Sequence, residues 1–166
     1  ATFRRAVLAG QTAEELVKEM RARNEPIPGI GHRVKSVTNP DERVALLKRF
    51  AAEHFGATPH LDFALAVERE TTAKRANLIL NVDGCIGVLF LDLMESCGLF
   101  SAREIAQVVE GGLLNGLFLL GRTIGLIGHY FDQRRLGTPL YRHPWDDIAY
   151  LVPDRPEGQG PEGQDG

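Results

Sequence analysis

The sequence is poor in cysteine, in charge of one sign and in unbroken apolar runs, and each shortage excludes a class of protein. Its two cysteines are Cys85 and Cys97, both inside apolar stretches. Two cysteines without metal-ligand spacing read as buried free thiols of a reducing compartment, where a disulfide between them is disfavoured. Against 22 Asp and Glu stand 19 Lys and Arg, for a net charge of -3. That balance gives no general pull toward nucleic acid or an anionic membrane. Anionic ligands must therefore be held by local clusters of Arg and Lys. The longest apolar stretches are interrupted by Asp83, Glu110 and Arg122, so none reaches the roughly 18–20 residues of a bilayer span. Arg4 and Arg5 near the start are followed by an acidic amphipathic stretch and not by a signal-peptide core. The expectation is a cytoplasmic protein, and a chain that opens on Ala1 without a methionine reads as trimmed or partial.

What remains is an ordinary composition for one domain: 166 residues, 43% hydrophobic and 25% charged, with enough apolar material for a core. Strand-like alternation is almost nil, so the expected class is all-α. Thr12, followed by Ala13-Glu14-Glu15, opens a helix through Leu16, Val17 and Met20. Two prolines and two glycines in Glu25–Gly31 force a loop. Asn39-Pro40-Asp41-Glu42 reads as the next start, with Asn39 as cap and Val44, Leu47, Phe50 and Ala51 facing inward. A third helix spans about Pro59 to Glu70. Asn77 to Cys97 is nearly all apolar and reads as a central helix, stopped by Gly98. Ser101 and Glu104 form a capping box for a long helix reaching toward Tyr130, with a break at Gly111-Gly112. Gly116, Gly121, Gly125 and Gly128 suit a helix closely approached by another backbone or a ligand, since each would otherwise cost about 1 kcal/mol against Ala. Beyond Pro153 the Pro, Gly, Gln and acidic residues have nothing to bury, and residues 153–166 read as a disordered tail.

Three residues stand out chemically. His32 follows the glycine loop and is flanked by Arg33 and Lys35. This is either a solvated surface turn or a place where a ligand reaches the backbone and finds cations for phosphate oxygens. Asp83 lies in the apolar string Leu78-Ile79-Leu80-Asn81-Val82-Asp83-Gly84. It is either a structural cap or a buried carboxylate whose raised pKa suits proton transfer. Arg122, among Gly121, Ile124 and Leu126, either pairs with a buried acid or faces an anionic ligand.

These residues recur within five blocks: Gly29-Ile30-Gly31-His32-Arg33-Val34-Lys35-Ser36, Asn39-Pro40-Asp41-Glu42-Arg43, Asn77 to Gly84, Gly121 to Tyr130, and Leu140-Tyr141-Arg142-His143-Pro144-Trp145-Asp146-Asp147. In order and spacing they closely resemble the citrate synthase-like module of the ATP-citrate lyases and citryl-CoA lyases, over residues 1–152. The resemblance implies an all-helical, dimeric fold with a small and a large lobe, incomplete here at its amino terminus. It implies interconversion of citryl-CoA with acetyl-CoA and oxaloacetate. By position, His32 is implied to hydrogen-bond the oxaloacetate carbonyl or citryl hydroxyl, and Asp83 to exchange a proton with the acetyl methyl. Arg43, Arg122 and Arg142 would hold the citrate carboxylates, Arg142 across the dimer interface, while Arg33, Lys35, Lys74 and Arg75 lie where the family binds CoA.

Coenzyme A enters as substrate; no permanent cofactor and no metal is implied. In the family a further, upstream histidine polarises the thioester; none of His54, His60, His129 and His143 sits in its motif, with His129 the one candidate for a supporting role. Nothing resembles an ATP-using part. Alternatives are a CoA-binding or dimerisation module without turnover, and a variant acting on a 2-methylcitrate-type acyl chain.

Overall fold

A computed structural model describes residues 1–138. Seven helices follow in chain order: α1 (Thr2–Leu8), α2 (Ala13–Ala22), α3 (Glu42–His54), α4 (Pro59–Thr72), α5 (Val82–Ser96), α6 (Ala102–Glu110) and α7 (Leu113–Leu136). Among the described residues there is no strand, only two isolated bridges, Ile30 to Leu80 and Ser36 to Asn39. The all-α reading holds. The tail from residue 153 lies outside the described residues.

Local chemistry sets most boundaries. Thr12 and Ser101 each close a reciprocal capping box with the glutamate three residues on, satisfying amide donors that the first helical turn leaves open. The α3 start differs from expectation. Asp41 is the cap, its carboxylate accepting from the Arg43 amide, while Asn39 is drawn off into the bridge with Ser36. α5 ends at Cys97, and Gly98 takes the left-handed φ of +68° that favours glycine there. The long glycine-rich helix does break where expected: Gly112 turns left-handed at φ +75°, and α6 and α7 meet at 54°. α7 then runs to Leu136, six residues beyond the expected end at Tyr130.

α5 is the hub. Val82, Cys85, Val88 and Leu89 recur along one face and enter the main core with Leu16 of α2, Val44 of α3 and Val67 of α4. A buried polar staple fixes α4 against it. Asp92 of α5 accepts from the amides of His60 and Leu61 at 2.9 and 3.1 Å and from His60 Nδ1 at 2.9 Å. Thus a carboxylate from one helix caps the amino end of another, a contact no local pattern in either segment announces.

Two expectations about burial and one about helix extent need correction. Phe50 does not face the core; it is 51% exposed and stacks on His54 at 4.2 Å between ring centroids. Cys97 is exposed while Cys85 is buried, and both are free thiols. Burial pushes the Cys85 thiol up to about 11. Finally, Asn77–Leu80 is not helix but a turn followed by irregular chain, pinned to α4 by Thr71 Oγ1 donating to the Leu78 carbonyl at 2.7 Å and the Leu80 amide donating to Glu68 at 2.8 Å.

Candidate active site

The glycine loop and the start of α5 are joined backbone to backbone. The Gly31 amide donates to the Ile79 carbonyl at 2.7 Å, the His32 amide to that of Asn77 at 3.0 Å, and the Asn81 amide to that of Gly29 at 2.9 Å. The approach is so close that a Cβ on Gly84 would lie 2.6 Å from the Gly29 oxygen. Only glycine fits at that crossing, and Gly29, at φ +86°, needs glycine twice over. Side-chain amides add to the seam: Asn77 Nδ2 donates to the His32 carbonyl at 3.2 Å and Asn81 Nδ2 to the Gly31 carbonyl at 3.1 Å.

His32 is held in one tautomer by this turn. Its Nδ1 accepts from the amides of Val34 and Lys35 at 3.0 and 2.9 Å. The proton of the neutral ring is thereby assigned to Nε2, which becomes a hydrogen-bond donor. Asp83 stands at the second position of α5, behind the cap Asn81. Here the expectation of a buried carboxylate is corrected: Asp83 is exposed, because Val82 and Cys85 take the inward positions on either side of it. It lines a cavity of about 350 Å³ together with Pro28, Gly29, Asn81, Gly84 and Asn115. Partial desolvation still raises its pKa above the ordinary 3.8, opposed by the charges of Arg43 and Arg122.

Arg43 is engaged before any ligand arrives. Its Nε and Nη2 donate to the two carboxylate oxygens of Asp41 at 2.9 and 2.7 Å, a bidentate pair. That bond holds the Asp41 carboxyl below its usual range, and His32 lies close enough to add to the effect. Arg122, on α7, is exposed, with its guanidinium 5.6 Å from the Phe118 ring centroid. Among the described residues it has no carboxylate partner, so the structural ion pair considered for it is not formed there. Arg33, Lys35, Lys74 and Arg75 belong to two loops joined to each other, with the Val37 amide donating to the Ala76 carbonyl at 2.9 Å. His129 shares an open groove with Arg122. Arg142 and His143 lie outside the described residues.

His32, Asp41, Arg43, Asp83 and Arg122 therefore form one electrostatic neighbourhood, although His32 is not in the wall of the cavity that Asp83 lines. The sequence reading missed Asp41, Asn81 and Asn115 as members of it. Asn115 could have been noticed as a lone amide within Leu113-Leu114-Asn115-Gly116; the role of Asn81 depends on partners fifty residues away. A donor imidazole, a carboxylate of raised pKa and nearby guanidiniums can together polarise a carbonyl, move a proton at carbon and hold a polyanion.

An all-helical packing in which the glycine loop is joined backbone to backbone to the start of a central helix defines the class here as a citrate synthase-like fold. The chain belongs to that family: the citrate synthase C-terminal domain matches residues 3–143. It is 56% identical over 164 residues to probable ATP-citrate synthase subunit 1 of Neurospora crassa, covering 99% of this chain and 24% of that protein. It is 53% identical over 152 residues to human ATP-citrate synthase, covering 92% of this chain and 14% of that protein. The chain thus spans a quarter or less of the length of these curated relatives. Among solved structures, an aspartate-to-alanine mutant of Methanosaeta concilii ATP citrate lyase in complex with (3S)-citryl-CoA superposes with a TM-score of 0.78 at 59% identity, over 92% of this chain and 25% of that one. Citryl-CoA lyase from Hydrogenobacter thermophilus gives 0.62 at 26% identity, over 96% of this chain and 57% of that one.

Proposed function

We propose that this chain supplies the citryl-CoA lyase half-site of an ATP-citrate lyase-type enzyme, interconverting citryl-CoA with acetyl-CoA and oxaloacetate in the cytoplasm. The observation that carries the reading is the tautomer of His32: a neutral ring with Nδ1 occupied offers Nε2–H to an oxygen that alternates between hydroxyl and carbonyl. In the condensing direction Asp83 removes a methyl proton from the acetyl thioester. The resulting enolate carbon attacks the oxaloacetate carbonyl, and the developing alkoxide accepts from His32. In cleavage the same steps run backward, and protonated Asp83 returns the proton to carbon. A carboxyl of raised pKa is better suited to that second task than an ordinary one. Arg43, Arg122 and Arg142 hold the substrate carboxylates, Arg43 by exchanging Asp41 for one of them. Arg33, Lys35, Lys74 and Arg75 receive the CoA phosphates.

Two copies are proposed to assemble through α7, whose exposed apolar side chains include Leu119, Leu120, Ile124 and Ile127. A Cβ at Gly121, Gly125 or Gly128 would meet nothing within 4 Å, so a second backbone can come close along that stripe.

The test is release of oxaloacetate from citryl-CoA, followed by NADH-coupled reduction, with the chain in its natural full-length polypeptide. Asp83→Ala should lower kcat by about 10³-fold, within the usual span for a lost general acid–base group. Unchanged turnover would remove Asp83 from the mechanism. A second reading, a CoA-binding or dimerisation module without turnover, is favoured by the placement of Arg122 on a helix with no buried residue. Calorimetry with CoA and citrate on the 166 residues separates the two, since binding without cleavage supports the module.

A further inference from the structure

One side chain in the wall of the cavity is bonded to both of the elements that carry the proposed acid–base pair. Asn81 Oδ1 accepts from the Gly84 amide at 3.0 Å and so caps the helix that carries Asp83. Its Nδ2 donates at 3.1 Å to the carbonyl of Gly31, the residue immediately before His32. Its own backbone amide donates to Gly29 at the other end of the glycine turn. The carboxamide has one acceptor end and one donor end, and each is spent on a different catalytic element. Any tilt of α5 against the loop must break one of these bonds.

We infer that Asn81 is a positioning residue, setting the distance between His32 and Asp83 through the two ends of its amide; this rests on the proposed lyase chemistry. Capping alone does not require asparagine, since Asp and Ser cap helices about as well. Only asparagine at this position caps and also donates to the loop. Aspartate offers the cap and sets a second acceptor against the Gly31 carbonyl. Serine caps without charge and is too short to reach the loop as well.

The experiment compares Asn81→Asp and Asn81→Ser with the parent in the full-length enzyme, reading kcat and KM for citryl-CoA alongside Tm, with Asp83→Ala as reference. Both variants should keep Tm within about 3 °C, since Asp and Ser retain the cap. Both should lose about 10²-fold in kcat with KM nearly unchanged, the size of effect that a misplacement of ~1 Å produces. Agreement between the charged and neutral variants assigns the loss to the missing donor. Retention of parental kcat by either variant overturns the inference. So does a fall in Tm of about 10 °C or more that tracks the loss of activity, because Asn81 is then a structural cap alone. If the parent fails to cleave citryl-CoA, or Asp83→Ala matches it, the lyase reading fails first and on its own terms.

Discussion

α5 and α7 are both apolar helices studded with glycine, yet their fates in the structure are opposite. α5, of 15 residues, buries seven of them and meets five other helices. Among the described residues α7, 24 residues long, has none buried, and only Phe118 of its side chains packs against the main core. Hydropathy alone would bury both. What separates them is the supply of complementary faces: α1, α3 and α4 close over α5, whereas among the described residues α7 is contacted by α5 and α6 and its remaining length has no helix against it. An apolar helix is thus a statement about a missing or present neighbour, not about depth within its own chain.

The contrast can be tested by equal truncations on the two helices. Leu89→Ala should cost about 3 kcal/mol of unfolding free energy, the usual toll of a core cavity. Leu126→Ala, 68% exposed, should cost under about 0.5 kcal/mol. Denaturant melts at low protein concentration measure both; equal costs would erase the distinction. The next effect down concerns the staple that anchors α5. Asp92→Ala leaves two amides and a ring N–H of His60 buried without an acceptor, for a loss of about 2 kcal/mol, visible as a lower Tm. On α7, Ile124→Arg should leave the monomer's melting curve unmoved while abolishing self-association in sedimentation velocity at tens of micromolar. A parent that stays monomeric under those conditions removes the proposed pairing.

The smallest effect is expected at the rim of the site, from pH. Arg43 lowers the folded-state pKa of Asp41 below the ordinary 3.8. Its contribution to stability is therefore complete above that value and is lost as pH falls through the folded pKa. Asp41→Asn, which keeps a competent helix cap, should separate from the parent above pH 4 and converge with it at more acidic pH in acid-unfolding curves. Asp83 has the reverse sign. Its raised pKa means that ionisation costs more in the folded chain than in the unfolded one, so Asp83→Asn should be no less stable than the parent at neutral pH.

How far the residues announced all this depends on the range of the interaction. The cap at Thr12, the capping box at Ser101 and the glycine break before α7 are decided within four residues, and they were readable. The start of α3 slipped by two because Asn39 and Asp41 are equally good caps in isolation; the bridge from Ser36 decides between them. Asn77–Leu80 looked helical because it is apolar, and is not helical because the carbonyls of Asn77 and Ile79 are taken by a loop nearly fifty residues earlier while Thr71 and Glu68 of α4 take the Leu78 carbonyl and the Leu80 amide. Of the candidate site, the residue types were legible: His32, Asp83, Arg43 and Arg122 were all singled out, and Asp83 does feel the charges of Arg43 and Arg122. Its wiring was not. Asp83 is exposed because Val82 and Cys85 take the inward positions, Arg43 is captured by an acid only two residues away, and the double grip of Asn81 follows from the docking of that loop.

The contact of Gly29 with Gly84 has a consequence for how activity is lost on heating. The segments carrying His32 and Asp83 are joined by a backbone crossing and two asparagine amides, with no linker of short range between them. The helices on either side can persist when that crossing opens, since each carries its own cap. Catalysis should therefore vanish in a narrow temperature interval while far-ultraviolet ellipticity is still close to native, making turnover a more sensitive thermometer of this seam than helix content.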